Sequence, residues 1–154
     1  MRNGKIDATV TAPSRLILVR HAHADWPAYQ GQDFDRPLTP EGLQGARTTA
    51  QAILAAGHRP ALLLASPACR TRQTAEVLAA TLCLPAEGLR YVENLYNATA
   101  ATLETEVRAA ARPGVLIALV GHNPGVSDLA RKLTRDPKAA PYKPADWRLL
   151  PLPD

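Results

Sequence analysis

The sequence predicts an α/β fold built on a mostly parallel central sheet, and three observations predict it. Unbroken aliphatic runs at 16–19, 61–65 and 115–120 read as strands buried on both faces. Segments with apolar residues at helical spacing lie between them. Each run gives way at once to a polar stretch, which places chemistry at the carboxyl edge of the sheet, where open α/β sheets bind their ligands.

Taken in order, Arg15–Arg20 is the first strand, and residues 22–38, with Pro27, Gly31 and Pro37, form a loop long enough to border a site. Thr39-Pro40-Glu41 starts a helix: Thr39 caps, Pro40 sits in the first turn and Glu41 suits the positive end of the dipole. Leu43, Ala46, Ala50, Ile53 and Leu54 form its apolar stripe and Gly57 closes it. Ala61–Ala65 is the second strand. Strand, helix and strand in this length imply a parallel crossover, so the ends of the first two strands lie together.

Ser66 caps the next helix, with Pro67 in its first turn, and this puts Arg70 near the sheet edge. Arg72, about 200° around the helix, is expected to be exposed. Val77, Leu78, Thr81 and Leu82 continue the element to Pro85. Leu89–Val92 is a third strand, followed by Glu93, and Leu103, Val107 and Ala110 mark a helix that Pro113-Gly114 ends. Val115–Val120 is the most strand-like run and belongs in the middle of the sheet. After it, Gly121 permits a turn, Asn123 caps and Pro124 begins a helix with Val126, Leu129, Ala130 and Leu133 on its apolar side. The proline-rich tail offers one edge strand, near Trp147–Leu150.

The 154 residues suffice for one domain that buries its core without disulfides or metals. We expect residues 1–14 to be a flexible extension and 15–154 to be the domain. A net charge of +4 is carried by scattered basic residues, with no Lys/Arg-rich run or aromatic-studded strand, so it fits a small acidic group better than nucleic acid. Cys69 and Cys83 read as thiols, and neither has an arginine six positions on, which excludes a Cys-x5-Arg phosphatase signature. No apolar stretch suggests a membrane span or a signal peptide, and a cytoplasmic location is expected.

Two chemistries compete for Arg20-His21-Ala22-His23-Ala24-Asp25. In one, Arg20 holds a phosphate oxygen and the His21 imidazole attacks phosphorus. In the other, His21, His23 and Asp25 ligate a metal, with a spacing that resembles the His-x-His-x-Asp-His motif of metallo-β-lactamase-type hydrolases. That motif fails at Trp26, and His58 and His122 are too few to complete a two-metal set.

Four blocks favour the first chemistry: Leu-Val-Arg-His-Ala at 18–22, Arg-Pro-Leu-Thr-Pro-Glu-Gly at 36–42, Ser-Pro-Ala-Cys-Arg-Thr-Arg-Gln-Thr-Ala-Glu at 66–76 and Val-Gly-His-Asn-Pro-Gly at 120–125. Together, and in this order, they resemble the histidine phosphatase superfamily, and within it the small SixA-like phosphohistidine phosphatases. The resemblance implies a phosphoglycerate mutase-like, three-layer α/β/α sandwich and a phosphohistidine intermediate, with no metal and no cofactor. It implies His21 as nucleophile, Arg20, Arg70 and His122 as partners of the phosphoryl oxygens, and Glu93 as general acid, with Asp25 as the fallback. His23 stands where many such proteins carry lysine, and the usual Pro-Thr-Gly/Ala strand block after Leu133 is missing.

The implied substrate is a phosphorylated protein bearing phosphohistidine, because so short a chain leaves little to cover the pocket. Small phosphate esters are the alternative within the same chemistry. A non-catalytic phosphate- or phosphoprotein-binding module is the alternative from another class.

Overall fold

The structure is a computed structural model that describes residues 14–153. The expected extension falls outside the described residues except for Ser14. Five strands form one sheet: β1 (Arg15–Arg20), β2 (Leu62–Ala65), β3 (Leu89–Tyr91), β4 (Leu116–Gly121) and β5 (Trp147–Pro151). Their spatial order is β3-β2-β4-β1-β5, with β4 central as its sequence predicts. All neighbours pair in parallel except β5, which runs antiparallel to β1 on the outer edge, where Pro151 needs no ladder donor. The edge strand expected around Trp147 is therefore present.

Alternation along the strands divides the core in two. Leu16, Leu18, Leu62, Leu64, Ile117 and Leu119 point to one face, where α3 (Ala100–Ala110) and α4 (Gly125–Thr134) bring Leu103, Val107, Val126 and Leu129. Ile17, Val19, Leu63, Ala65, Ala118 and Val120 point to the other, against Ala50 and Ile53 of α1 (Pro40–Ala55) and Ala75 and Leu78 of α2 (Cys69–Thr81). The result is the α/β/α sandwich, and each buried Leu or Ile contributes about 1.5–3 kcal/mol.

Local rules explain most helix ends. Thr39 caps α1 by accepting from the Gly42 amide at 3.0 Å, and Thr99 caps α3 through the Thr102 amide. Gly42 lies so close to the His23 carbonyl that any Cβ there would collide with it, which binds α1 to the loop after β1. Asn123 Oδ1 accepts from the Ser127 amide. Three expectations need correction. Helix α4 begins at Gly125, one residue later than expected, with Pro124 rather than Asn123 in the N-cap position. Helix α2 begins at Cys69 with no side-chain cap, because it starts later than expected and its N-cap position falls on Ala68, which has no polar side chain, rather than on Ser66. Arg72 is half-buried rather than exposed, and its guanidinium donates to the Pro67 carbonyl.

Candidate active site

The parallel crossovers bring the carboxyl ends of β1, β2 and β4 together. The residues that follow them, with the 22–38 loop, enclose a cavity of about 290 Å³. Arg20 and His21 line it from the end of β1, Arg70 from the first turn of α2, and His122 and Asn123 from the end of β4. Asp25, Asp33, Arg36 and Asn97 complete the wall. Four of the expected residues thus meet at one point although they lie far apart in the chain.

Each ring and guanidinium is held by the backbone around it. His21 Nδ1 lies 2.7 Å from the Ala22 carbonyl, to which it donates, so the lone pair is on Nε2. The His21 and His122 rings stand 5.4 Å apart, edge to face. Arg20 donates to the Tyr142 carbonyl at 2.9 Å, and Asn123 donates to the same oxygen. His122 Nε2 is 2.9 Å from Ser66 Oγ. Arg70 is 3% exposed and donates to both the Asp33 carbonyl and its carboxylate.

Asp33 is the hub of the mouth. Its carboxylate accepts from Tyr96 Oη at 2.6 Å, from Arg36 at 3.0 Å and from Arg70 at 3.0 Å. The Tyr96 hydrogen bond, then the two arginines, hold this carboxyl far below its usual range, so it stays ionised. Among the described residues, Arg20 Nε, Arg70 Nε and His122 Nδ1 are buried without a partner, although each belongs to a residue on the cavity wall. Buried donors are normally satisfied, and a tetrahedral oxyanion carries acceptors for several at once. The class of site is therefore an anion pocket, with two imidazoles and three guanidinium groups at a sheet edge.

Burial pushes His21 down to about 4 and His122 down to about 3, with the nearby arginines adding to both shifts. Both rings are neutral at ordinary pH. Since histidine in the unfolded chain titrates near 6.5, acidification protonates the unfolded state first. Stability carried by these rings is intact above about pH 6.5 and is lost as pH falls toward 4. A thermal melt at pH 7 and at pH 4.5 should show a larger drop in Tm for the wild type than for a His21→Gln/His122→Gln double variant. Equal drops would contradict the assignment.

Other expected residues lie elsewhere. Glu93 opens a short 3-10 turn, is exposed and takes no part in the cavity wall. Asp25 does line the cavity, with its side chain 89% exposed and 3.8 Å from Arg36. His23 turns away to Thr39 Oγ1, at 2.8 Å. Among the described residues no three His, Cys, Asp or Glu side chains gather as a metal site, so the spacing of His21, His23 and Asp25 does not become a triad in space. Sequence pattern alone does not single out Asp33 or give Arg36 a role; the one signal is an Asp-x-x-Arg pair within the long loop.

Comparison with known proteins identifies the lineage of this pocket. A family model described as histidine phosphatase superfamily (branch 1) matches residues 16–122. The chain belongs to the histidine phosphatase superfamily. It is similar to an uncharacterized chloroplastic protein of Arabidopsis thaliana, 33% identical over 128 residues, which cover 78% of this chain but only 59% of that relative. Among solved structures, a chain from Agrobacterium tumefaciens provisionally named phosphohistidine phosphatase SixA superposes with a TM-score of 0.74 at 29% identity, covering 90% of this chain and 92% of its own. A mycobacterial glucosyl-3-phosphoglycerate phosphatase shares the fold, with a TM-score of 0.67 at 19% identity, covering 88% of this chain and 91% of its own.

Proposed function

We propose that the protein is a metal-independent phosphatase in which His21 is the nucleophile and the preferred substrate is phosphohistidine on a protein. The observation that carries the reading is the state of His21: a neutral ring tied by Nδ1 to a carbonyl, with its Nε2 lone pair available among Arg20, Arg36 and Arg70. The Nε2–phosphorus bond forms as the bond from phosphorus to the leaving atom breaks, and the electron pair departs with that atom, which then takes a proton. Water next attacks the phosphohistidine. Its oxygen bonds to phosphorus, the pair returns to Nε2, and a proton passes to solvent. Arg20, Arg70 and His122 hold the equatorial oxygens throughout.

The leaving group is where the carboxylates matter. Asp33 is held ionised by Tyr96 and two arginines, so it is a poor proton donor, and Glu93 does not reach the cavity. Asp25 is the other carboxyl on the wall. An alkoxide needs a well-placed acid, whereas an imidazole leaves readily. This favours a phosphoramidate, and the name of the Agrobacterium neighbour agrees with it. The mycobacterial neighbour, named for a sugar phosphate ester, motivates the second reading, small phosphate monoesters.

The test is the ratio of kcat/KM for a phosphohistidine-bearing carrier protein to that for an alkyl phosphate, in EDTA. We expect the carrier to be favoured at least about 100-fold, the scale of a general acid that one substrate requires and the other does not. Faster turnover of the alkyl phosphate would overturn the substrate assignment. A cytoplasmic setting belongs to the same proposal; among the described residues no helix is long and apolar enough to cross a membrane.

A further inference from the structure

Ser66 directly follows β2, and His122 directly follows β4, its neighbour in the sheet. The register that pairs Ala65 with Val120 brings the two together. Ser66 is completely buried. Its backbone is fixed from two sides, since its amide donates to Val120 and its carbonyl accepts from Thr71 Oγ1 at 2.7 Å. Among the described residues its hydroxyl has two hydrogen-bonding neighbours: the Ala68 amide, which can only donate to it, at 3.3 Å, and His122 Nε2, at 2.9 Å.

A hydroxyl has one proton to give. If His122 carried its proton on Nε2, Ser66 Oγ would receive two donors and its own proton would have no acceptor, at a point water does not reach. If instead Ser66 donates to Nε2, every proton around the hydroxyl is used. The imidazole proton then sits on Nδ1, which is buried and has no partner among the described residues. An unused donor in that position is costly unless something accepts from it.

We propose that Ser66 is a positioning residue that selects the Nδ1–H tautomer of His122, making it a neutral hydrogen-bond donor to a phosphoryl oxygen in the cavity. The donor role rests on the phosphatase reading above; the tautomer does not. Burial of the ring among arginines keeps it neutral and is consistent with this role. The division of labour at the pocket follows: the arginines supply charge, while His122 supplies direction.

The test is ring ¹⁵N NMR of the free full-length protein at pH 7, with the His122 signals assigned by their loss in His122→Gln. In the wild type Nδ1 should have the shift of a protonated nitrogen and Nε2 that of an unprotonated one. In Ser66→Ala the preference should vanish or reverse, and kcat should fall about tenfold, the equivalent of one hydrogen bond. A wild-type ring protonated at Nε2, a Ser66→Ala ring with the wild-type pattern, or a Ser66→Ala kcat within twofold of wild type overturns the proposal. If the wild type hydrolyses no phosphorylated substrate at all, the phosphatase reading fails, and the nitrogen shifts still decide whether Ser66 sets the tautomer.

Discussion

His21→Ala should abolish turnover, lowering kcat by about 10⁴-fold or more, the scale on which covalent mechanisms fail when the nucleophile is removed. The methyl group of alanine leaves no nitrogen to bond phosphorus. Arg20, Arg70 and His122 are anchored independently of the imidazole, through Tyr142, Asp33 and Ser66. Binding of inorganic phosphate should therefore survive, changed by less than about tenfold, because a lost neutral hydrogen bond is worth about 1 kcal/mol. Phosphate release in EDTA measures the first quantity, and acid-quenched labelling shows whether a phosphoenzyme forms. Retained turnover would remove His21 from the mechanism. Equal phosphate binding with no turnover in either protein would instead identify a binding module.

Arg70→Ala should have the second largest effect, a loss of about 10²–10³-fold in kcat, as for removal of a preorganised donor to a transition-state oxyanion. Its guanidinium reaches the cavity from a buried position and is aligned by two bonds to Asp33. Arg70→Lys should not restore activity, since one ammonium cannot hold the Asp33 carbonyl, its carboxylate and a phosphoryl oxygen in the same fork geometry. Stability separates this from a folding defect. The Asp33 side chain is 48% exposed and keeps Arg36 and Tyr96, so no uncompensated buried charge remains in Arg70→Ala. Its Tm should stay within a few degrees of wild type while kcat collapses. A collapse of Tm as well would assign Arg70 to the architecture rather than the chemistry.

The layers of this fold were readable from local pattern because the hydrophobic effect acts on it directly. Unbroken aliphatic runs such as Leu16–Val19 and Leu116–Val120 have no polar face, so they must be strands covered on both sides, and the segments between them carry helical stripes. Arg20, His21, Arg70 and His122 were readable for a related reason: each ends a core strand, follows one directly or sits on the helix turn after one, and parallel crossovers bring such positions to one edge. What the chain's pattern could not specify was which side chain pairs with which across that edge. Asp33 meets Arg70 and Tyr96 from the middle of a loop without periodicity, and Glu93, equally close to a strand end, opens a 3-10 turn onto the surface. Ser66 had a complete local reading as a helix cap, but the helix starts three residues later, and the hydroxyl meets a residue 56 positions away. Secondary structure here follows from the period of burial along the chain, whereas the pairing of buried polar groups depends on distances that exist only once the sheet has assembled.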